Sequence, residues 1–174
     1  EDGGSIGKLL ESALNAAPQV SGLCLDIGCS VGGTTFALAE RSNDLTLGLD
    51  LNFSFLKIAS RVLREQTLRY PQRSSGLVYD YRELKTSPSA QHLVDFWACD
   101  ALHLPFADNS ISTTSSLNLL DCLAEPRAHL VELSRALLSG GHAILATPWD
   151  WSPQTPVEGW IGGHSQRWES GGDS

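Results

Sequence analysis

The segment from Leu23 to Gly33 constrains the fold of this chain more than any other part of its 174 residues. It reads Leu-Cys-Leu-Asp-Ile-Gly-Cys-Ser-Val-Gly-Gly, an apolar run with one acid that breaks into glycines. An apolar run this short is typical of a strand that is buried on both faces of a parallel sheet. The glycines remove Cβ atoms where a backbone turns sharply and a ligand approaches it closely. We therefore predict a strand, a ligand-binding turn and then a helix from about Thr34.

A second apolar run, from Leu45 to Leu51, carries an acid near its end. Twenty-two residues separate Gly28 from Asp50, a spacing that suits one strand-helix-strand unit. An acid at the tip of such a second strand accepts hydrogen bonds from both hydroxyls of a ribose. The alternative is that Asp50 caps the following helix, but Asn52 is also available as a cap. We favour the ribose and take Asp50 and the adjacent Leu51 as candidate cofactor-binding residues.

Helical periodicity recurs in three other segments, where apolar residues return every three or four positions. The first spans residues 5–17. The second includes Phe55 and is expected to end at Pro71, because proline removes a backbone donor. The third is expected to open at Pro126 and to end at the turn Ser139-Gly140-Gly141, before a last short strand.

The composition favours one soluble domain with a small-molecule ligand. Hydrophobic residues make up 41% of the chain and charged residues 18%, which excludes a mostly disordered chain. The net charge of −8 disfavours a nucleic-acid partner, because phosphate binding depends on clustered Lys and Arg. Without a run near the roughly 20 apolar residues of a membrane helix, we expect a cytoplasmic protein with no membrane partner. The four cysteines lack the close pairing of zinc sites, so we expect free thiols and no metal.

An acid, a glycine, a small residue and a second glycine alternate with other residues in the first segment, at Asp26, Gly28, Ser30 and Gly32. This pattern resembles the first motif of class I S-adenosylmethionine-dependent methyltransferases. A dinucleotide-binding fingerprint would have glycine in place of Ser30, so a nicotinamide-dependent dehydrogenase is the weaker alternative. The resemblance covers residues 22–148 and implies an α/β fold with a doubly wound, mostly parallel sheet. It also implies S-adenosyl-L-methionine as the cofactor and the four motif residues as part of its site.

A third predicted strand, from His92 to Cys99, leads into Asp100 and Ala101. In the family that the chain resembles, an acid after this strand receives the exocyclic amine of adenine, and the next backbone N–H meets a ring nitrogen. The resemblance therefore implies that Asp100 and Ala101 bind adenine. A carboxylate accepts from an amine and offers no donor, so this contact selects adenine over a base without the amine.

A fourth predicted strand, from Ile111 to Leu117, leads into Asn118 and Asp121. The family places residues here that face the methionine part of the cofactor or the methyl acceptor. The resemblance thus implies a cofactor contact for Asn118 and a catalytic role beside the acceptor for Asp121. The alternative for Asp121 is a cap near the next helix.

Residues 1–174 are expected to form a single domain with its cofactor-binding core in 22–148. Turn-forming residues in 70–92 indicate an insertion, either a short hairpin over the site or a surface loop. The last segment, 149–174, begins with three of the five tryptophans, which are expected to wall an acceptor pocket or to form a hydrophobic plug. Class I methyltransferases usually end in a sixth and an antiparallel seventh strand. Few residues follow Asp150, so these strands are expected to be missing or truncated.

We interpret the chain as an enzyme that transfers a methyl group to a small-molecule acceptor, with an imidazole or amine nitrogen as the expected nucleophile. Three short sequences, Thr147-Pro148, Trp149-Asp150-Trp151 and Trp160-Ile161-Gly162-Gly163, are similar to methyltransferase domains of ovothiol-type biosynthesis, which methylate an imidazole nitrogen. One alternative is a methyltransferase-like module that binds without catalysis, and the other is the dehydrogenase. The sequence does not predict an oligomeric state.

Overall fold

The computed structural model describes residues 5–17, 21–85 and 89–161. Four helices occur in these ranges, α1 (Ser5–Ala16), α2 (Gly33–Ser42), α3 (Phe53–Glu65) and α4 (Pro126–Ala136). The strands there are β1 (Cys24–Ile27), β2 (Thr46–Asp50), β3 (Thr67–Ser75), β4 (Val78–Lys85), β5 (Val94–Ala98), β6 (Ile111–Leu117) and β7 (Leu137–Ala146). No helix in the described part of the chain has the length and apolar character that crossing a membrane requires.

Five strands form one sheet in the order β5-β2-β1-β6-β7, and all of its neighbouring pairs are parallel. The chain moves outward from β1 to β2 and β5, then returns to the other side of β1 for β6 and β7. The sheet confirms the predicted doubly wound, mostly parallel α/β fold. It also places the reversal of strand order between β1 and β6.

Both faces of the sheet carry hydrophobic cores. On one face, Leu25 and Ile27 of β1 pack in a cluster with Leu133 and Ala136 of α4. A second cluster joins Ala39 of α2 to Ala90 and Val94, with partly buried aromatic and aliphatic neighbours. Since every residue of β1 is buried, the apolar run after Leu23 is the strand with two covered faces that its composition predicts.

The inner strand β6 is buried over its first six residues although it reads Ile-Ser-Thr-Thr-Ser-Ser-Leu. A buried hydroxyl group is tolerated when it has a hydrogen-bond partner. Ser112 Oγ donates to the Leu23 carbonyl at 3.0 Å, Ser115 Oγ donates to Asp26 at 2.7 Å, and Ser116 Oγ lies 3.0 Å from His129 Nε2. The serines of this strand therefore form hydrogen bonds inside the sheet, whereas the buried hydroxyl of Thr114 has no partner among the described residues.

Strands β3 and β4 pair with each other in a separate antiparallel hairpin. The prediction that Pro71 ends the preceding helix is wrong. Helix α3 ends at Glu65 because Gln66 adopts a left-handed conformation with φ of 54°. Pro71 instead lies within β3, opposite Tyr81. A two-stranded ribbon has free edges, which are the positions in a sheet that accept proline.

Two other predicted boundaries differ from the structure. His92 lies in a short 3-10 turn, so β5 begins at Val94. The Ser139-Gly140-Gly141 turn was expected to follow α4, but these residues lie inside β7. The pairing of β6 with β7 shifts register there, between Ile111 and Thr113, so the glycines make an irregularity within a strand.

Candidate functional site

A pocket of about 350 Å³ lies at the carboxyl ends of β1 and β6, where the strand order reverses. Open α/β sheets bind their ligands at this kind of reversal. The wall is contributed by α1, the turn after β1, the start of α2 and the end of β6, through Ile6, Asp26, Gly28, Cys29, Ser30, Val31, Gly33, Thr34, Leu117 and Asn118. A larger pocket of about 420 Å³ lies between α1 and α2. We place the site in the smaller pocket because the strand ends meet there.

The turn after β1 packs tightly against an aromatic ring that the sequence did not single out. Gly32 has φ of 87°, and a Cβ on it would lie 2.6 Å from the ring of Phe96. Gly48 in β2 approaches the same ring, since its Cβ would lie 2.5 Å away. Gly32 therefore needs to be glycine for both its backbone conformation and its packing. The sequence contains one indication of this contact, namely Gly48 inside an apolar strand. A glycine in a strand often marks a place where another group approaches the backbone closely.

Asp26 is buried and accepts hydrogen bonds from three hydroxyls. Its Oδ2 accepts hydrogen bonds from Thr34 Oγ1 and Thr35 Oγ1, each at 2.7 Å, and its Oδ1 accepts one from Ser115 Oγ at 2.7 Å. Burial raises the pKa of the Asp26 carboxyl, while these three hydrogen bonds act in the opposite direction. The side chain is only 2% exposed. Asp26 thus joins β1, α2 and β6 around the turn.

Asp50 stands at the end of β2 and is fixed by two backbone amides. Ser30 N donates to Asp50 Oδ2 at 2.8 Å, and Asn52 N donates to Asp50 Oδ1 at 2.7 Å. The cap of α3 is Asn52, whose side chain accepts from Ser54 N at 3.0 Å. Asp50 is therefore not the side-chain cap of this helix. Its neighbour Leu51 is 75% exposed.

Asp100 and Ala101 lie in the loop between β5 and β6. The Asp100 side chain is 47% exposed, and its Oδ1 accepts from Leu102 N at 2.9 Å. Its Oδ2 lies 3.4 Å from Nδ1 of the exposed His103. The Ala101 carbonyl lies 3.0 Å from His129 Nδ1. The Asp100 carboxylate is thus open to solvent, while the carbonyl of the next residue, Ala101, is held by His129 of α4.

Three side chains of α4 hold this loop at successive points, at positions 129, 132 and 135. Beyond His129, Glu132 Oε2 accepts from Leu104 N at 3.0 Å. Arg135 donates to the carbonyls of Leu104 and Phe106 at 3.0 and 2.8 Å. Arg135 also lowers the pKa of Glu132, chiefly through the hydrogen bond between them. None of these three residues was predicted from the sequence, because their three-residue spacing indicates a common face of the helix but not what that face contacts.

Asn118 and Asp121 follow β6 but have different surroundings. Asn118 is exposed at the pocket wall, with φ of 55°, and its N–H donates to the Ala146 carbonyl at 2.7 Å. Asp121 is 2% exposed, and its Oδ2 accepts from Asp150 N at 2.9 Å. Its Oδ1 is buried without a partner among the described residues. The two side chains therefore do not share one open site in this conformation.

Asp121 anchors the segment that carries the tryptophans. Besides the contact to Asp150, its carbonyl accepts from Ser152 N at 2.8 Å. Trp151 stacks on Trp160 with ring centroids 5.9 Å apart and lies 6.0 Å from Trp149. Trp149 is 54% exposed. Residues 162–174, including Gly162, Gly163 and His164, lie outside the described residues.

Neither a metal-binding cluster nor a reactive thiol at Cys29 is found in the described ranges. No cluster of three His, Cys, Asp or Glu side chains suitable for a metal occurs in residues 5–17, 21–85 and 89–161. Cys29 lies in the pocket wall, and burial raises the pKa of its thiol, with Asp26 and Asp50 contributing in the same direction. The thiol is therefore held in its neutral form, which is a poor nucleophile.

Solved structures share this fold. The [4+2]-cyclase SpnF is 22% identical, with 80% of this chain and 43% of that chain covered and a TM-score of 0.62. A putative S-adenosyl-L-methionine-dependent methyltransferase from Methanococcus maripaludis is 19% identical, with 80% and 54% covered and a TM-score of 0.63. Geranyl diphosphate C-methyltransferase from Streptomyces coelicolor A3(2), solved with S-adenosyl-L-homocysteine, is 18% identical, with 80% and 42% covered and a TM-score of 0.56. The chain spans about half the length of the structures it matches.

The comparison with protein families is more specific than these structural likenesses. No curated protein matches the chain significantly. A family profile described as a methyltransferase domain matches residues 25–145, which include most of β1, the turn between β1 and α2, all of β6 and most of β7. Because this match covers more than two thirds of the chain, the protein belongs to the methyltransferase domain family, whose members are class I methyltransferases that depend on S-adenosyl-L-methionine.

Proposed function

We propose that this chain binds S-adenosyl-L-methionine and transfers its methyl group to a small-molecule acceptor at an amine or imidazole nitrogen. The cofactor supplies a methyl group that its sulfonium already activates. The protein therefore has to bind both partners, align them and exclude water. The observation that carries the proposal is the pocket at the strand reversal, which is bordered by a glycine turn fixed in place by Asp26 and Asp50.

The ribose fits Asp50 because of the way this carboxylate is held. A carboxylate has about four lone-pair positions on its two oxygens. The amides of Ser30 and Asn52 occupy one position on each oxygen and fix the orientation of the group. Each oxygen keeps a further acceptor position, which suits two neighbouring hydroxyls. The exposed Leu51 beside it offers an apolar surface for the base.

The adenine fits the loop after β5. One oxygen of Asp100 accepts from Leu102 N, and the carboxylate retains acceptor capacity for an exocyclic amine. The Ala101 carbonyl is held by His129, and the N–H of the same peptide unit, that of Leu102, donates to Asp100 Oδ1, so this unit orients the carboxylate. We therefore assign adenine to Asp100 and Ala101.

The methionine part fits between the glycine turn and Asn118. Helix α2 begins at Gly33 with no side-chain cap from Gly32, and the first-turn residues Gly33 and Thr34 line the pocket. A helix N-terminus stabilises an anion, which suits a carboxylate. Asn118 also lines the pocket and is exposed. Asp26 contributes by holding the turn, because its two oxygens already accept three hydroxyls.

Calorimetry with S-adenosylhomocysteine tests the cofactor assignment. We expect a Kd near 1 μM, or about −8.2 kcal/mol. Binding of NAD without competition by S-adenosylhomocysteine would contradict it and revive the dehydrogenase alternative. Incubation with methyl-labelled cofactor and a panel of amines and imidazoles then separates transfer from binding alone. That distinction is needed because SpnF, which shares the fold, is a cyclase.

The acceptor side is proposed to lie at the tryptophan segment, within 149–174. Trp149 is exposed next to the stacked pair of Trp151 and Trp160, and such faces contact cationic or aromatic nitrogen compounds. The similarity of Trp149-Asp150-Trp151 to ovothiol-type methyltransferase domains supports an imidazole nitrogen. The buried carboxylate of Asp121 favours a role in positioning this segment over direct contact with the acceptor.

Two substitutions test the acceptor side. Trp149→Ala and Asp121→Ala are expected to lower methyl transfer, while the cofactor Kd changes by less than about threefold, below the 1.4 kcal/mol of a tenfold change. Trp97→Ala is the matched control, because Trp97 is also exposed but stacks on Phe106 at the other edge of the sheet. Lost cofactor binding with unchanged acceptor kinetics would place the segment in the cofactor site instead.

The domain arrangement follows from these assignments. We propose that residues 22–148 hold the cofactor and that 70–92, which include most of the β3–β4 hairpin, are an insertion into this core. The net charge of −8 supports a small-molecule acceptor over a nucleic acid.

A further inference from the structure

His129 is a fully buried histidine that contacts two elements of the proposed cofactor site. It lies on α4 and is 0% exposed. Its Nδ1 is 3.0 Å from the carbonyl oxygen of Ala101, and its Nε2 is 3.0 Å from Ser116 Oγ. The first contact reaches the loop after β5, and the second reaches β6. One imidazole ring thus spans the space between them.

The chemistry of the two partners fixes the hydrogen on the ring. A carbonyl oxygen only accepts, so Nδ1 carries the hydrogen and donates to Ala101. Burial lowers the pKa of His129, which keeps the ring neutral. Nε2 is then an acceptor, and the Ser116 hydroxyl donates to it. Both ring nitrogens are satisfied, so the ring has one defined orientation.

The two contacts adjoin residues that are assigned to different parts of the cofactor. Ala101 directly follows Asp100, whose carboxylate is assigned to adenine. Ser116 lies two residues before Asn118, which is assigned to the methionine part. The other loop contacts of α4, from Glu132 and Arg135, reach Leu104 and the residues after it. Among the α4 contacts described, the one that holds the peptide beside Asp100 comes from His129.

We propose that His129 is a positioning residue that fixes the adenine-binding loop against α4 through its hydrogen bond to the Ala101 carbonyl. The inference rests on the proposed function, since it assumes that Asp100 in this loop binds adenine. His129 is not among the residues that line the pocket. It acts through the peptide unit of Ala101 and Leu102, whose carbonyl it holds and whose N–H donates to Asp100 Oδ1, so this unit orients the carboxylate that is assigned to the exocyclic amine.

Three substitutions separate the two hydrogen bonds. In His129→Asn the side-chain amide lies at the position of Nδ1, so it still donates to Ala101 but no longer reaches Ser116. In His129→Gln the amide lies at the position of Nε2, so it reaches Ser116 and loses Ala101. His129→Phe keeps the ring shape and removes both bonds. Ser112→Ala is the matched control, because it removes one buried hydrogen bond from the other end of β6.

The first readout is selectivity for adenine. Affinities are measured for S-adenosylhomocysteine and for its analogue with oxygen in place of the 6-amino group, at a temperature where every variant is folded. We expect the ratio of the two Kd values to fall by about tenfold in His129→Gln and His129→Phe, equivalent to about 1.4 kcal/mol. The ratio stays within about twofold of wild type in His129→Asn and Ser112→Ala. Equal ratios in all variants would overturn the proposal and leave His129 as a packing residue.

The second readout needs no ligand. Hydrogen exchange in the free protein follows the amides of Leu102 and Leu104, which are bonded to Asp100 and Glu132. We expect faster exchange in His129→Gln and His129→Phe, and exchange near that of wild type in His129→Asn. Unchanged exchange in all three would contradict the proposal. If the wild type binds no S-adenosylhomocysteine, the cofactor assignment fails, and this readout still decides whether His129 holds the loop.

Discussion

The turn after β1 and the tip of the β3–β4 hairpin both contain a glycine with positive φ, yet their surroundings differ. A Cβ on Gly32 in the turn would meet the ring of Phe96, whereas a Cβ on Gly76 in the hairpin would meet nothing within 4 Å. The turn is held from distant elements, by Asp26 and Asp50. The hairpin is held by neighbours along its own ribbon.

The turn therefore has the contacts of a preformed binding site, whereas the hairpin is stabilised by contacts within its own two strands. The contacts of the turn are buried or partly buried and come from three strands, so the turn keeps its shape without a ligand. The contacts of the hairpin are local and exposed, such as Arg73 Nε donating to the Gly76 carbonyl at 2.6 Å. Substitutions in the turn should therefore lower the free energy of unfolding of the whole domain, whereas substitutions in the hairpin should have local effects.

The largest effect is expected for Asp26→Ala. The buried hydroxyls of Thr35 and Ser115 and the half-buried hydroxyl of Thr34 lose their acceptor, and each buried group left unsatisfied costs about 1–3 kcal/mol. We expect the free energy of unfolding to fall by about 3 kcal/mol or more, measured by urea denaturation. Asp26→Asn is the control, because it keeps the size of the side chain and one acceptor oxygen, and it should lose less. A loss below about 1 kcal/mol for Asp26→Ala would contradict the comparison.

The pair Gly32→Ala and Gly76→Ala tests the two regions directly. Both substitutions force an L side chain into a positive φ, which costs about 1 kcal/mol. Gly32→Ala also pushes a methyl group into Phe96, and overpacking adds about 1–3 kcal/mol. We expect Gly32→Ala to lower the free energy of unfolding by about 2–4 kcal/mol and Gly76→Ala by about 1. Equal losses would show that the packing of Phe96 relaxes freely.

Asp50→Ala tests whether a residue that fixes the turn also binds the cofactor. The substitution removes the proposed ribose acceptor and releases Ser30 N. Hydrogen bonds to a charged group contribute about 1.5–3 kcal/mol, so cofactor affinity in calorimetry should weaken by that amount. Asp95→Ala is the control, because in the described ranges the hydrogen bonds of this exposed acid go to its near neighbours Phe96 and Trp97. Unchanged affinity would mean that Asp50 supports the turn without meeting the ribose.

The smallest effect is expected for Tyr81→Ala in the hairpin. Tyr81 is 73% exposed, and its ring contacts Arg69 at 5.6 Å. An exposed cation–π pair contributes about 0.5–1 kcal/mol. We expect the free energy of unfolding to change by no more than this, with cofactor affinity unchanged. A larger loss in thermal melting, or weaker cofactor binding, would show that the hairpin is coupled to the site.

Local patterns in the sequence predicted the parts of the fold that local chemistry decides. The glycine turn, the first helix over 5–17 and the strand Ile111–Leu117 have the predicted type and nearly the predicted bounds. Pro71 was misleading because its effect depends on its environment. It ends a helix, but it is also accepted in a ribbon whose edges are free.

Contacts between distant residues set the rest of the candidate site. His129 is 28 residues from Ala101 and 13 from Ser116, so no local pattern distinguishes it from an ordinary helix residue. The same holds for Phe96, whose position against Gly32 depends on the pairing of β2 with β5. Asp121 was visible as an acid after a strand, but its burial follows from the path of the segment after β7.

The row of contacts from α4 to the loop after β5 limits how this loop can change in length. Residues 129, 132 and 135 follow one another at intervals of three positions along α4, and each interval corresponds to about 4.5 Å along the helix axis. They meet the loop at Ala101, Leu104 and Phe106 in the same order. An inserted or deleted residue between Ala101 and Leu104 would put the two rows out of step. Insertions of a single residue should therefore be rejected here and tolerated at the tip of the hairpin.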